Sequence, residues 1–268
     1  MSILEGIDEL VDDWLDVEPK GKPPYYRHKS TAIELSRRTT PIGDARPFLD
    51  ACYSRIHQNW LGAIDSGYKN SSRENWRWKR HLDLAPENSS PELRLERAIV
   101  TSCGESWSNQ MPVASGLVGP AANKRAAIDL VYRKDPTTYS LIELKIDSNN
   151  PLFAAIEILI YGLLFAWSKN NQETLGYNKQ NQPVLGAIDI TLGVLAPERF
   201  FDGLNLSAFA TVLNRGLAEF GERHDLVLGF EFCQLGTEFD LMADTKLAID
   251  TRHRIWGDEL RPDTNSSL

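Results

Sequence analysis

The sequence is poor in the residues that staple small folds or bind soft metals. Its 268 residues include three cysteines, Cys52, Cys103 and Cys233, which lie far apart, form no Cys-x-x-Cys pair and have no histidine beside them at zinc-ligand spacing. That spacing excludes a disulfide framework and a structural zinc site, and buried or free thiols are expected. No basic stretch followed by an apolar run opens the chain, so no secretory signal is read and a reducing, cytoplasmic location is expected. The most apolar run, Pro151 to Ser168, has Glu157 at its middle. It falls short of the roughly 20 apolar residues of a membrane span, so a buried helix and no membrane association are expected. There is no Gly-x-y period, heptad array or low-complexity tract. Gly-x-Ser-x-Gly is missing, which leaves an α/β-hydrolase without its nucleophile, and Gly116 to Gly119 lacks the Lys-Ser/Thr of a phosphate loop. His28, His57, His81, His224 and His253 show no pairing with one another or with cysteine.

The chain does have enough apolar residues, 42%, to bury a sizeable core, and its length points to one elaborated domain or a domain with a smaller appendage. Its formal charge of −8 would argue against nucleic acid as a partner. The distribution along the chain reverses that inference. Residues 1–18 hold seven acids and no base, whereas residues 19–81 hold thirteen bases against five acids. Ile3, Leu4, Ile7, Leu10, Val11, Trp14 and Leu15 recur at helical spacing, so the acidic segment reads as an amphipathic helix, able to cover the basic one.

Within the basic stretch, Ser71 to His81 interleaves Arg73, Arg77, Lys79 and Arg80 with Trp76 and Trp78. Such a segment suits phosphate contacts with rings that stack on bases or sugars. It equally suits a solvated surface segment anchored to the core by its tryptophans, and composition does not choose between the two.

A helix is expected over Pro47–Ile64, and another from Pro91 to about Ser102, capped by Ser90 with Pro91 in its first turn. Trp107–Ser115, Ala126–Arg133 and Tyr139–Ile146 read as strands, the last two joined in a hairpin through Lys134 to Thr138. A long apolar helix follows Asn150 and runs to Trp167, then a strand over Val184–Leu195, a helix over Glu198–Arg223, and strands over Leu226–Gln234 and Thr237–Met242. Mixed α/β architecture follows, with a helical extension over 1–90 and a second unit over 91–268.

Ile128-Asp129-Leu130 and Ile142-Glu143-Leu144-Lys145 put charge into apolar strands. Period two sends Glu143 and Lys145 to one face, and a paired hairpin brings Asp129 to the same edge. Buried charge is costly unless a partner or a metal satisfies it. Paired carboxylates suit Mg²⁺, and a nearby ammonium would orient or help deprotonate a water and offset charge at a reacting phosphate. Metal-assisted phosphodiester hydrolysis is the implied reaction class.

These residues, with the order αβββαβ across roughly 105 residues from Pro91 to Ala196, resemble the PD-(D/E)XK nuclease superfamily, the restriction-endonuclease-like fold. The resemblance implies a Mg²⁺-dependent (or Mn²⁺-dependent) nuclease acting on DNA in preference to RNA, alone, as a homodimer or with a partner protein. By the family pattern Asp129 and Glu143 would ligate metal and Lys145 would be the lysine of the Glu-x-Lys element, with the Leu144 carbonyl as a further ligand. Glu96 on the first helix, or Glu92 one turn earlier, would complete the set. Glu157 and Tyr161 stand where some members carry Gln-x-x-x-Tyr, with a glutamate in place of the amide, and Ile128 stands where the name-giving proline would be. Two other readings remain: a catalytically inactive nuclease fold that binds nucleic acid or protein, and an unrelated α/β protein with an exposed Glu143 and Lys145 pair.

Overall fold

Two proline-started helices bracket the central sheet. In the computed structural model, which describes residues 2–68, 72–83, 90–146 and 150–235, the Ser90 side chain accepts the Leu93 N–H at 3.4 Å and Pro91 begins a helix. Asn150 accepts the Phe153 N–H at 3.1 Å and Pro151 begins another. In both, the cap satisfies an end donor while proline occupies a position that needs none.

The helices are α1 (Ile7–Trp14), α2 (Lys29–Arg37), α3 (Ala45–Asp65), α4 (Pro91–Cys103), α5 (Pro151–Asn170) and α6 (Ser207–Glu222). The strands are β1 (Trp107–Pro112), β2 (Ala127–Arg133), β3 (Thr138–Leu144), β4 (Asp189–Pro197) and β5 (Val227–Leu235), in one sheet of spatial order β1-β2-β3-β4-β5. The first three form an antiparallel meander; α5 then carries the chain across to β4, parallel to β3, and α6 to β5, parallel to β4. A mixed five-stranded sheet flanked by helices is the result.

Alternation on β3 sorts two cores. Tyr139 and Leu141 pack with α5, α3 and α6 on one face, while Ile142 and Leu144 pack with Leu95, Ile99 and Val100 of α4 on the other. Glu143 therefore lies on the α5 face. Sixteen residues of α5 are buried, so its apolarity is that of an interior helix. The acidic segment belongs to the same core as α5: Ile3, Ile7, Val11 and Leu15, spaced by one turn, are all essentially inaccessible. At about 1.5–3 kcal/mol for each fully buried aliphatic side chain, this stripe holds α1 down irrespective of charge.

Several boundaries differ from those expected. α2 was not read from the sequence; Thr31, Ala32 and Leu35 supply a short buried stripe, and Thr31 Oγ1 donates to the Tyr25 carbonyl at 2.8 Å. Pro183–Gly186 and Glu198–Phe200 are single 3-10 turns, so β4 starts at Asp189 and α6 at Ser207. β1 ends at Pro112, three residues before its expected end. The expected strand at Thr237–Met242 lies outside the described residues.

α3 and α6 approach closely at Gly216, where an added Cβ would come within 2.8 Å of the Ala45 Cβ and 3.0 Å of the Arg46 backbone nitrogen. Gly216→Ala is expected to cost about 1–3 kcal/mol in urea unfolding, because backbone cannot yield as a side chain does. Gly62→Ala, with nothing within 4 Å of the added carbon, should instead add about 0.5–1 kcal/mol. Equal effects of the two changes would show that the helices are not in fixed contact.

Candidate active site

The β2–β3 ladder ends at the Leu130–Ile142 pair, and Asp129 and Glu143 are the residues just beyond it on the two strands. Asp129 Oδ2 accepts the Leu144 N–H at 3.0 Å. Lys145 lies just past the end of β3, but its N–H donates to the Leu195 carbonyl at 2.9 Å and continues the β3–β4 pairing by one residue. Its ammonium donates to Glu143 Oε1 and lies 3.7 Å from Glu157 Oε2. On α5, Tyr161 Oη donates to Glu157 Oε1 at 3.4 Å, across one helical turn. Asp129, Glu143, Lys145, Glu157 and Tyr161 thus meet at one place, where the end of β3 faces the first half of α5.

Glu96 reaches the same place through an intermediary. Its side chain, 1% exposed, accepts from Asn109 Nδ2 at 2.6 Å and Gln110 Nε2 at 2.7 Å, and forms an ion pair with Arg97. Gln110 Nε2 also lies 3.4 Å from Asp129 Oδ1, so one amide bridges the carboxylates of α4 and β2. Gln110 holds a left-handed backbone, φ 49°, inside a strand. Such a conformation costs a non-glycine residue of order 1–3 kcal/mol and persists only where the surroundings enforce it. Glu92, one turn before Glu96, is near enough for its charge to act on Asp129. Sequence reasoning missed Asn109 and Gln110. The sequence offered only two adjacent amides beside Ser108 in a short strand, one of which faces inward under regular alternation; that both reach Glu96 depends on the left-handed backbone at Gln110.

Burial dominates the electrostatics. It raises the Glu96 carboxyl to about 7, with Asp129 adding to the rise and Arg97, Gln110 and Asn109 opposing it. It raises Asp129 to about 6 against the pull of Lys145 and the Leu144 N–H. Glu143 is also pushed well above the ordinary carboxylate range, by burial and then by Asp129 and Glu157. Lys145 goes the other way for a buried amine: burial favours loss of its proton, but Glu143, Asp129 and Glu157 together hold the proton more firmly than in water.

Among the described residues, no three His, Cys, Asp or Glu side chains converge as a complete ligand set. What the site offers a hard cation is two carboxylates, with Glu143 Oε2 buried and lacking any hydrogen-bond partner. An ionised buried oxygen without a partner is costly, and a divalent cation would satisfy it while keeping waters in its remaining positions. Leu144 enters the site through its N–H.

The segment from Arg73 to His81 runs along the outer edge of β1. The Trp76 N–H donates to the Pro112 carbonyl at 2.8 Å, and Asn109 exchanges side-chain bonds with the His81 N–H at 2.8 Å and its carbonyl at 3.0 Å. Trp76 is wholly buried, edge-to-face on Phe165 at 5.8 Å, so its ring is an anchor in the core and not a platform for a base. Trp78 is half-buried against Tyr139, with the Arg133 guanidinium 5.0 Å over its ring. Arg77 and Lys79 both pair with Glu74, and Arg80 pairs with Glu105 and donates to the Val100 carbonyl at 2.8 Å. The acidic segment meets the first part of the basic segment 19–81: Asp8 pairs with Arg27, Asp12 accepts the backbone N–H groups of Tyr25 and Tyr26, and Arg38 donates to the Leu15 and Asp16 carbonyls; among the described residues no such contact reaches Arg73 to Arg80.

No protein-family model, curated protein or solved structure matches the chain.

Carboxyls with raised folded values leave the folded protein with more protons than the unfolded chain between about pH 4.5 and 7. Their contribution to stability therefore falls as pH rises through that window. Glu96→Gln removes one such group. The change in urea-unfolding free energy between pH 5 and 7, measured without divalent cations, should then differ from that of the unaltered protein by about 1–3 kcal/mol, with the variant less penalised at pH 7. Superimposable pH profiles would mean that Glu96 is not held above its ordinary value.

Proposed function

We propose that the protein is a metal-dependent nuclease of the PD-(D/E)XK type, hydrolysing phosphodiester bonds in DNA in preference to RNA. The observation that carries this reading is the Glu143 carboxylate. One of its oxygens is bound by Lys145 and the other is buried without a partner, and the Asp129 charge acts on it from the neighbouring strand. Asp129 and Glu143 would hold Mg²⁺ or Mn²⁺, with the Leu144 carbonyl as a further oxygen and Glu96 acting through Gln110. The cation would supply Lewis-acid stabilisation of the phosphate and a hydroxide-like nucleophile near neutral pH.

The chain's own groups set the geometry around that chemistry. Leu144 N–H and Gln110 Nε2 fix the two oxygens of Asp129. Lys145 keeps its proton, so it serves as a fixed cation that orients a water and offsets charge growing on the phosphate oxygens, and it does not remove a proton. Glu157 faces that ammonium and is steadied by the Tyr161 hydroxyl. Arg73 to Arg80, laid along β1, would supply phosphate contacts outside the cluster.

Purified protein incubated with supercoiled plasmid, linear duplex and RNA in Mg²⁺ is expected to cleave DNA, and Glu143→Ala and Lys145→Ala to cleave at least 100-fold more slowly, on the scale of losing one electrostatic group at a reacting centre. Mn²⁺ should raise the melting temperature of the unaltered protein and not that of Glu143→Ala. Equal cleavage by all three proteins would refute the assignment. Salt-dependent DNA binding without cleavage would select the non-catalytic binding protein instead.

A further inference from the structure

A second polar site lies away from the carboxylates. Arg73, Arg77, Gly176, Asn178, Asn181 and Gln182 line a cavity of about 370 Å³ that contains two guanidinium groups, three side-chain amides and no carboxylate. Arg73 is exposed and has no carboxylate partner among the described residues. Arg77 shares Glu74, outside the lining, with Lys79.

The cavity is held open by buried polar joints. Gln182, 2% exposed, donates to the Arg73 carbonyl at 2.9 Å and accepts the Asn178 N–H at 3.1 Å. Asn75, fully buried, donates to Tyr177 Oη at 3.0 Å and to the Ser115 carbonyl at 3.0 Å. These bonds tie the 72–77 loop to Ser115 and to the turn at 177–182, and Trp76 pins the same loop onto Phe165. Asn178 Oδ1 accepts the Asn181 N–H at 3.0 Å, which orients the Asn178 amide nitrogen as a donor. Among the described residues Arg73 is the guanidinium there without a carboxylate partner, while Arg77 is partly offset by Glu74, and a planar guanidinium beside an oriented amide donor fits a phosphate with its several acceptor oxygens. Phe165 follows Glu157 by eight residues on α5, about 12 Å of helix. Trp76, between the lining residues Arg73 and Arg77 in the chain, thus touches the second half of the helix whose first half carries Glu157.

We propose that this cavity binds a backbone phosphate of the nucleic acid, away from the scissile bond, with Arg73 and Arg77 as the charged contacts and Asn178 as a neutral donor. The proposal rests on the nuclease reading for its substrate class. The cavity would hold the strand in register, while the carboxylate cluster acts on a different phosphate.

The test is a fluorescence-anisotropy titration of the full-length protein with a labelled 30-nucleotide single strand and the matching duplex, in EDTA at several salt concentrations. Arg73→Ala and Arg77→Ala should each weaken binding several-fold and flatten the logarithmic salt dependence by about one unit, as loss of one phosphate contact does. Arg73→Lys should keep the salt dependence, Asn178→Ala should weaken binding without changing it, and Arg215→Ala, on the exposed side of α6, should change neither. Arginine variants that bind like Arg215→Ala would overturn the proposal. So would stabilisation of the unaltered protein by inorganic phosphate without any oligonucleotide binding, which would mark the cavity as a site for a free anion. Mg²⁺-dependent cleavage abolished by Glu143→Ala, alongside unaffected binding by Arg73→Ala, would remove the cavity and leave the nuclease reading standing. The reverse pattern would keep the cavity and remove catalysis.

Discussion

Placing the Glu143 carboxylate on a strand face whose other members are Tyr139 and Leu141 costs several kcal/mol of lost hydration unless opposite charge accompanies it. Lys145, two residues on and therefore on the same face, supplies that charge, and almost every other feature of the region accommodates the pair. Asp129 lies on the neighbouring strand and is tied to the Leu144 N–H; Glu157 approaches the ammonium from α5; Gln110 adopts an unfavourable backbone angle to join Asp129 to Glu96. Burial raises all three carboxyls of the region, and Arg97 and Lys145 offset only part of that cost.

The rest of the fold serves to keep that region rigid. α5 is buried along nearly its whole length, between β3 and β4 of the sheet and α3 with the turns at Tyr25–Arg27 and Pro183–Gly186. The acidic residues of α1 are carried on a helix whose buried side is part of the main core. They shape the outer surface and the Arg27 contact and do not shield the Arg73–Arg80 stretch.

The features legible in the sequence were those set by local rules. Ser90-Pro91 and Asn150-Pro151 announced helix starts because capping and the proline N1 preference act within four residues. Asp129, Glu143 and Lys145 were found because period two fixes a strand's facing before any tertiary contact is known. What depended on packing was not legible. Whether Trp76 stacks on a base or fills the core turned on Phe165, nearly ninety positions away in the chain. α2 has too short an apolar stripe to stand out from the polar residues around it. Gln110 joined the site through a backbone angle that no pattern of residue types encodes.

β1 is the first strand of the sheet, and its outer edge is occupied by the chain's own residues. The Trp76 N–H reaches Pro112, the Asn109 N–H donates to the Lys79 carbonyl at 3.4 Å, and Asn109 stitches His81 on from its side chain. An open edge of this kind is where one sheet recruits another, and this cover blocks that route by occupying the hydrogen-bonding groups of β1. Because Asn109 also binds Glu96, peeling the cover away would loosen the carboxylate cluster in the same step that unmasked the edge.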